Sequence, residues 1–163
     1  MTQATDLDVR DFQLADFLPY QLSIASNAVS GLIAERYRSR FGLKITEWRV
    51  MAILGDRGSN GGQLTQRDLT EATVMDKVAV NRACKVLEQR GLIARVANEN
   101  DGRSHLLALT HEGEAIHREV MPTARAIERD LFDGFDEAEA AVLRAMLAKL
   151  RARAGLLAAQ SGS

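Results

Sequence analysis

The sequence predicts a mainly α-helical protein that carries one small β-hairpin. Along most of the chain, apolar residues recur at the spacing of one helix face. Two short runs rich in Ile, Val and Leu depart from that spacing and predict strands: LIARVA (92–97) and HLLALT (105–110). A polar loop with Asp-Gly-Arg joins them, so we expect a hairpin between two helical regions.

The bulk composition limits the class of protein. At 163 residues, with 46% apolar and 26% charged side chains, the chain fits one globular unit with a helical extension. No apolar run is long enough to cross a bilayer, and the first residues are acidic, unlike those of a signal peptide. The sequence therefore predicts a cytoplasmic protein with no membrane contact.

The first two helices are predicted from their ends. Pro19 suits the first position of a helix that continues to Gly42, and Thr46 is expected to cap the next one. The run GDRGSNGG (55–62) is expected to break that second helix.

A short helix, a tight turn and a longer helix follow. Thr65 with Asp68 has the spacing of a capping box, Asp76 can cap the longer helix, and Gly91 can end it. The longer helix has two faces. Its apolar face comprises Val80, Ala83, Cys84 and Leu87, and its polar and basic face comprises Lys77, Val78, Asn81, Arg82 and Lys85.

Two helices are expected after the hairpin. One runs from Thr110 to about Phe132 with a bend near Pro122. Asp136 and Glu139 form another predicted capping box, which opens the last helix.

This order of elements predicts DNA binding. In a helix-turn-helix the second helix enters the major groove. Asn81 could pair with adenine, and Arg82 or Lys85 with guanine or phosphate, while Val78 and Ala79 are small enough to meet a thymine methyl.

The hairpin would then be a wing that reaches the neighbouring minor groove. Arg103 near its tip suits the negative potential there, and Asp101 could orient it by a charge-assisted hydrogen bond. The formal net charge of the chain is only −1, yet the segment from Asp76 to His105 holds six basic and four acidic residues, a net of +2. Positive charge is concentrated where DNA would lie.

The same region resembles the winged helix-turn-helix core of the MarR family of bacterial transcriptional regulators. The similar pieces are LTQRDL (64–69), CKVLEQRGLIAR (84–95), DGR (101–103) and LALTHEGEAI (107–116), with TEWRVMAIL (46–54) upstream. Val74 stands where the family commonly has glycine, and Val78 and Ala79 replace the commoner Ser or Thr.

The resemblance implies roles for particular residues. It implies that Arg103 is the wing arginine, that Asp101 supports it, and that Thr65 and Gln66 begin the supporting helix, which usually touches phosphate. It implies base-reading or phosphate-binding roles for Lys77, Val78, Ala79, Asn81, Arg82 and Lys85. It also implies a homodimer on a near-palindromic operator, paired through the terminal helices.

The domain organisation follows from this resemblance. We expect an N-terminal arm and dimerisation helix over 1–45, the winged helix-turn-helix over 46–110, and C-terminal dimerisation helices over 111–163. The alternative for the apolar residues of the terminal helices is that they pack within one subunit.

A small-molecule effector is a further implication of the family. Small aromatic or phenolic anions would bind between the winged helix-turn-helix and the dimerisation helices. The residues that could line such a pocket are Arg36, Tyr37, Trp48 and Arg49. The alternative is that Trp48 belongs to the core.

Other kinds of site are not supported by the sequence. No nucleophile–base grouping or phosphate-binding loop is visible, and His105, His111 and His117 lie six residues apart, which does not suit metal ligands on one helix. We therefore expect no enzyme activity, cofactor or metal. Cys84, the single cysteine, is interpreted as a core residue, with a redox sensor as the alternative.

The predicted function is a sequence-specific transcriptional regulator bound to double-stranded DNA in the nucleoid, a repressor that a small effector releases. The rival hypothesis is a helical protein–protein interaction module that has kept the winged fold without binding DNA. The slightly acidic net charge is the only feature that favours the rival.

Overall fold

The computed structural model describes residues 13–58, 63–98 and 105–161. A 3-10 turn at Leu14–Asp16 precedes six helices and two strands in the described part of the chain. The elements are α1 (Leu18–Phe41), α2 (Ile45–Gly58), α3 (Gln66–Thr73), α4 (Lys77–Gln89), β1 (Ile93–Ala97), β2 (His105–Leu109), α5 (His111–Leu131) and α6 (Glu137–Ser161). The predicted mainly α-helical fold with one small hairpin is confirmed.

Helix α1 ends as its sequence predicts. Gly42 follows it with φ +62°, in the left-handed region that favours glycine, and its N–H donates to the carbonyl of Arg38 at 3.0 Å. The next residues lead directly into α2.

Helix α2 differs from its prediction at both ends. It begins at Ile45, one residue before Thr46. The side chain that accepts a backbone hydrogen bond at this helix end is Glu47, whose carboxylate accepts from the N–H of Lys44 at 2.9 Å. It continues to Gly58, beyond the predicted break at 55. Gly55 lies within the helix and against His117, so a Cβ at this position would meet the imidazole ring. Residues 59–62 of the predicted break lie outside the described residues.

The hairpin is antiparallel and pairs Ile93 with Leu109 at its base and Ala97 with His105 at its outer end. The hairpin is anchored at its base and at its middle. Ile93 at the base is buried, and so is Leu107, which pairs with Arg95 and also exchanges two backbone hydrogen bonds with Leu64, at 2.8 and 3.1 Å, just before α3. The backbone ladder and burial therefore fix the hairpin from its base to its middle.

The start of α5 fits closely against the base of the hairpin. The Thr110 hydroxyl accepts from the N–H of Gly113 at 3.1 Å and donates to the carbonyl of Gly91 at 2.6 Å. The Leu92 carbonyl lies so close to Gly113 that an added Cβ would be 1.9 Å from its oxygen. A side chain at position 113 would therefore collide with backbone.

The described residues divide into two compact units, one up to Pro122 and the other from Thr123 onward. In the first unit α2 packs against α3, α4 and β2. Its core is formed by Leu43, Val50, Met51, Leu54, Leu69, Val80, Cys84, Leu87 and Leu107, all nearly inaccessible to solvent.

The second unit contains the end of α5 and all of α6. Its capping box is confirmed: Asp136 accepts from the N–H of Glu139 at 2.8 Å, and Glu139 accepts from the N–H of Asp136 at 2.9 Å. Within this single copy, large apolar side chains of α6 are half exposed, among them Val142, Met146, Leu147, Leu150, Leu156 and Leu157. Among the described helices, none has the length and apolar character that a bilayer crossing requires.

Candidate nucleic-acid interface

Helix α3 begins with the predicted capping box. The hydroxyl of Thr65 accepts from the N–H of Asp68 at 3.1 Å, and the Asp68 carboxylate accepts from the N–H of Thr65 at 2.9 Å. The Thr65 hydroxyl also donates to the same carboxylate at 2.7 Å. The polar atoms of this side chain are therefore used within the helix end, and the local cap predicted from spacing is confirmed.

Gln66 lies at the first position of α3, and its side chain points inward. Its amide nitrogen is shielded from solvent, and its side chain lies against the thiol of Cys84 on α4. The group at this position that still faces the start of the helix is the backbone N–H, which is a common ligand of phosphate.

The turn between α3 and α4 is built around Val74. This residue follows α3 with φ +54° and ψ +32°, the left-handed conformation, and its side chain is 72% exposed. A β-branched residue is unfavourable there because its Cβ approaches its own carbonyl, at a cost of about 1–2 kcal/mol. The turn geometry usual for glycine is present although the residue is valine.

We expect Val74→Gly to stabilise the protein by about 0.5–1 kcal/mol, since glycine removes the left-handed strain but costs more backbone entropy on folding. Urea unfolding followed by circular dichroism measures this change. Val142→Gly is the matched control, because Val142 is an exposed valine in the regular helix α6. It should shift the midpoint in the opposite direction. A lower midpoint for Val74→Gly would show that the valine side chain stabilises the turn.

Helix α4 has the two predicted faces. The carboxylate of Asp76 accepts from the N–H of Ala79 at 2.8 Å and so caps the helix, as predicted. Val80, Ala83, Cys84 and Leu87 are buried, whereas Lys77, Val78, Asn81, Arg82 and Lys85 are exposed and Ala79 is partly exposed. The predicted recognition surface is therefore one continuous exposed face of α4.

The cations of this face are available to a ligand. Lys77, Arg82 and Lys85 form no ion pair with any residue that the structure describes. Three uncompensated positive charges on one helix face make a surface that attracts a polyanion. We call the exposed side of α4 carrying Lys77, Val78, Asn81, Arg82 and Lys85 the recognition face.

Two other arginines of the basic segment have structural partners instead. Arg90 donates to the carbonyls of Gly42 at 2.9 Å and Phe41 at 3.0 Å, and its Nη1 lies 3.9 Å from the Oε2 of the buried Glu47. It thus joins the end of α4 to the end of α1. The sequence shows no local sign of this contact, because the partners lie 48 and 49 residues apart.

Arg95 on β1 is the other paired arginine. Its Nε lies 2.5 Å and its Nη2 3.2 Å from the two carboxylate oxygens of Glu88 on α4. The hydrogen bonds to Glu88 raise the pKa of Arg95, so this guanidinium remains charged. Both Arg90 and Arg95 belong to the positive segment predicted from the sequence, but their internal partners were not predicted.

The wing tip is not part of the described structure. Asp101 and Arg103, the predicted wing residues, lie outside the described residues, which stop at 98 and resume at 105. The two strands that lead to the tip are present and correctly paired. The predicted roles of Asp101 and Arg103 therefore stay predictions.

The four predicted effector residues, two on α1 and two on α2, differ in their exposure to solvent. Tyr37 and Trp48 are buried, with ring centroids 5.3 Å apart in an edge-to-face contact, and burial raises the pKa of Tyr37. Arg36 is partly exposed and Arg49 exposed. The structure thus brings the two aromatic rings together and agrees with the alternative that Trp48 belongs to the core.

His117 completes this aromatic cluster. Its ring stacks on Trp48 with a centroid distance of 5.5 Å and an interplanar angle of 23°, and it covers Gly55. His111, in contrast, is exposed, as expected for two histidines six residues apart on a helix. No group of three or more metal-ligating side chains occurs within residues 13–58, 63–98 and 105–161.

We expect stability to fall as the pH is lowered through the histidine range, and His117 to cause part of this fall. Burial lowers the pKa of His117, while the nearby Asp56 carboxylate partly opposes that effect. The unfolded chain, with a histidine pKa of about 6.5, therefore binds a proton before the folded protein does, and the folded state loses stability below that pH.

Urea midpoints at pH 7.5 and 5.5 test this expectation. His117→Gln should reduce the difference between the two midpoints, whereas His111→Gln, at an exposed site, should leave it as in the parent. An unchanged pH difference in His117→Gln would contradict the assignment.

Cys84 has the environment of a core thiol. It is fully buried on the inner face of α4, and burial together with Glu88 raises its pKa to about 11. At neutral pH the sulfur is therefore a protonated thiol, which is a poor nucleophile. This favours the core interpretation over the redox sensor.

The capped α3, the strained turn, the exposed basic face of α4 and the hairpin after it define a winged helix-turn-helix protein. Comparison with known proteins gives the family. A model of the MarR family matches residues 41–104. The transcriptional regulator PecS of Dickeya dadantii is 30% identical over 112 residues, which cover 69% of this chain and 67% of PecS. The chain belongs to the MarR family of transcriptional regulators.

Solved structures agree with this assignment. A MarR/EmrR family regulator from Acinetobacter sp. ADP1 superposes with a TM-score of 0.80 at 26% identity, over 89% of this chain and 99% of that one. The chain is also similar to MepR of S. aureus, solved as a DNA complex, with a TM-score of 0.74, 20% identity, and coverage of 83% and 96%. The second likeness shows a shared fold.

Proposed function

We propose that the protein is a homodimeric repressor that binds a near-palindromic operator through the recognition face of α4. The observation that carries this proposal is the set of exposed cations Lys77, Arg82 and Lys85 beside Asn81 on one helix face, none of which has an ion-pair partner among the described residues. Such a face can make phosphate contacts and read base edges in the major groove. The DNA complex of MepR, a protein of the same fold, supports this use of the fold.

Each recognition side chain has a proposed task. Asn81 would pair with adenine, Arg82 and Lys85 with guanine or phosphate, and Lys77 with phosphate near the start of α4. Val78 and the partly exposed Ala79 would meet thymine methyls. At the start of α3 the hydroxyl and the backbone N–H of Thr65 are used in the capping box, and the side chain of Gln66 points inward, so a phosphate contact here would be made by the backbone N–H of Gln66.

Dimerisation is supported by apolar surface in both compact units. Near the N-terminus, Leu14, Phe17, Leu18, Leu22 and Ile24 are 42–78% exposed. In α6, Met146, Leu150 and Leu156 are 54–59% exposed. Exposed apolar residues in such numbers are typical of protein–protein contacts. A second copy of the chain would cover them and would supply a second recognition helix one DNA turn away.

The operator test is a gel shift on the promoter next to the protein's own gene. We expect a discrete complex that survives competitor DNA and weakens steeply with salt, and footprinting should then show two related half-sites. The rival hypothesis, a protein–protein interaction module, predicts no sequence-preferring complex. A regulator of this kind acts on nucleoid DNA in the cytoplasm, and transcription from the bound promoter should rise when the gene is deleted.

Release by a small aromatic or anionic effector is the finer part of the proposal. Arg36 and Arg49 could supply positive charge near the Tyr37–Trp48 pair. Trp48 is the sole tryptophan, so its fluorescence reports on this place alone. Aromatic carboxylates and phenols should quench it and weaken operator binding together, and compounds that do neither across the panel would contradict the effector site.

A further inference from the structure

The ion pair between Glu88 and Arg95 joins the recognition helix to the wing. Glu88 lies in the last turn of α4, and Arg95 is the third residue of β1. Both carboxylate oxygens take part, one with Nε at 2.5 Å and one with Nη2 at 3.2 Å. A two-point contact of this kind fixes the orientation of both groups as well as their distance.

Apolar burial of the hairpin ends at the level of Arg95. In β1, Ile93 is buried and the other four residues are exposed, and in β2 Leu107, which pairs with Arg95, is buried. Beyond this pair no residue of either described strand is buried, and a two-stranded ribbon of this kind twists easily. Within the described residues, the Glu88–Arg95 pair joins β1 to α4 at the level where this burial ends.

The geometry points to Glu88 and Arg95 as positioning residues that set the angle between the recognition face and the wing. This inference rests on the proposed function, because only a DNA-binding protein needs its wing held in position to contact DNA. Arg95 would then serve DNA binding through Glu88 and not by touching DNA. The expected signature is a loss of the wing's contribution to affinity while the recognition face keeps its own.

A double-mutant cycle measures this contribution. The full-length protein is titrated with a duplex carrying the operator mapped by the gel shift, and Arg103→Ala is made in the parent and in Glu88→Gln. In the parent, Arg103→Ala should weaken binding about 5- to 150-fold. In Glu88→Gln the same change should cost less than about 3-fold, because the wing arginine no longer reaches its site.

Control variants separate positioning from charge and from folding. Glu71→Gln makes the same change in charge and breaks the Arg67–Glu71 pair within α3, so it should leave the cost of Arg103→Ala at the parent value. The exchanged pair Glu88→Arg with Arg95→Glu should restore most of that cost. Arg95→Lys keeps the charge but loses the two-point contact, so it should reduce the cost of Arg103→Ala as Glu88→Gln does. It replaces Glu88→Gln in the cycle if Glu88→Gln folds poorly.

Two results would overturn the inference and are distinguishable. An equal cost of Arg103→Ala in the parent and in Glu88→Gln would show that the ion pair does not position the wing, and the proposed function would stand. No cost of Arg103→Ala in the parent itself would show that the wing makes no such contact, and the wing role within the proposed function would fail as well.

Discussion

Gly113→Ala is expected to destabilise the protein by about 3 kcal/mol, the largest effect of a single methyl group that the structure predicts. The added Cβ would lie 1.9 Å from the Leu92 carbonyl oxygen, 3.0 Å from its carbon and 3.3 Å from the Cδ2 of Leu109. Two of these three atoms are backbone, so a change of rotamer cannot relieve the contact.

The backbone at Leu92 has little freedom to move away. Its carbonyl accepts from the N–H of Thr110 at 3.0 Å, and its N–H donates to the carbonyl of Leu87 at 2.9 Å. Moving it would disturb the cap of α5, the end of α4 and the base of the hairpin together. Relief would therefore require α5 to separate from the hairpin at the cost of buried contacts.

Urea unfolding of Gly113→Ala measures this loss, with Gly31→Ala as the matched control. Gly31 lies inside α1, and a Cβ there would have no neighbour within 4 Å in a single copy. The control should gain up to about 1 kcal/mol, because alanine is the better helix former. A midpoint for Gly113→Ala equal to that of the parent would refute the close approach.

Replacing Lys77, Arg82 and Lys85 together with glutamine should strongly weaken operator binding and make it less dependent on salt. The slope of log affinity against log salt is negative, and each phosphate contact that is lost reduces its magnitude by about 1. The triple change therefore reduces the magnitude by up to about 3 per copy. The reason is that each contact releases condensed counterions from DNA. Affinity measured between 50 and 200 mM salt, roughly the range over which such complexes weaken, gives the slope.

A charge-matched control lies in α6. Arg144, Lys149 and Arg151 are also exposed cations, and their triple change to glutamine alters the net charge by the same amount. We expect this control to keep the salt slope and the footprint of the parent. If the magnitude of the salt slope fell equally in both triple variants, binding would depend on total charge, and the recognition face would have no special role.

The parts of the fold that the sequence predicted correctly depend on neighbours in the chain. The capping boxes at Thr65 and Asp136, the cap at Asp76 and the end of α4 just before Gly91 each involve residues within one helical turn. Their side chains meet the backbone whatever the tertiary structure. The two faces of α4 were predicted for the same reason, since 3.6-residue periodicity is a local property.

The features that the sequence did not reveal depend on distant contacts. Helix α2 extends to Gly58, past the predicted break, and Gly55 within it lies against the ring of His117, which comes 62 positions later. Glu47 is buried because Arg90 and the N–H of Lys44 satisfy it. A single sequence shows that these residues are charged or small, but it does not show which of them meet.

The candidate site shows the same division between local features, which the sequence predicted, and distant contacts, which it did not. The exposed residues of α4 followed from periodicity, whereas the internal roles of Arg90 and Arg95 required the structure. The inward side chain of Gln66 was also unforeseen, because an amide at the start of a helix is equally suited to solvent. Asp101 and Arg103 stay predictions.

The buried Cys84 has a practical consequence. It is the sole thiol of the chain and is enclosed on the inner side of α4, next to Gln66 of α3. A thiol reagent can reach it only when those two helices separate, so its labelling rate in the native state reports the free energy of that local opening. Bound operator should slow the labelling. The labelling rate of the native sulfur would then measure how strongly bound DNA stabilises the contact between α3 and α4.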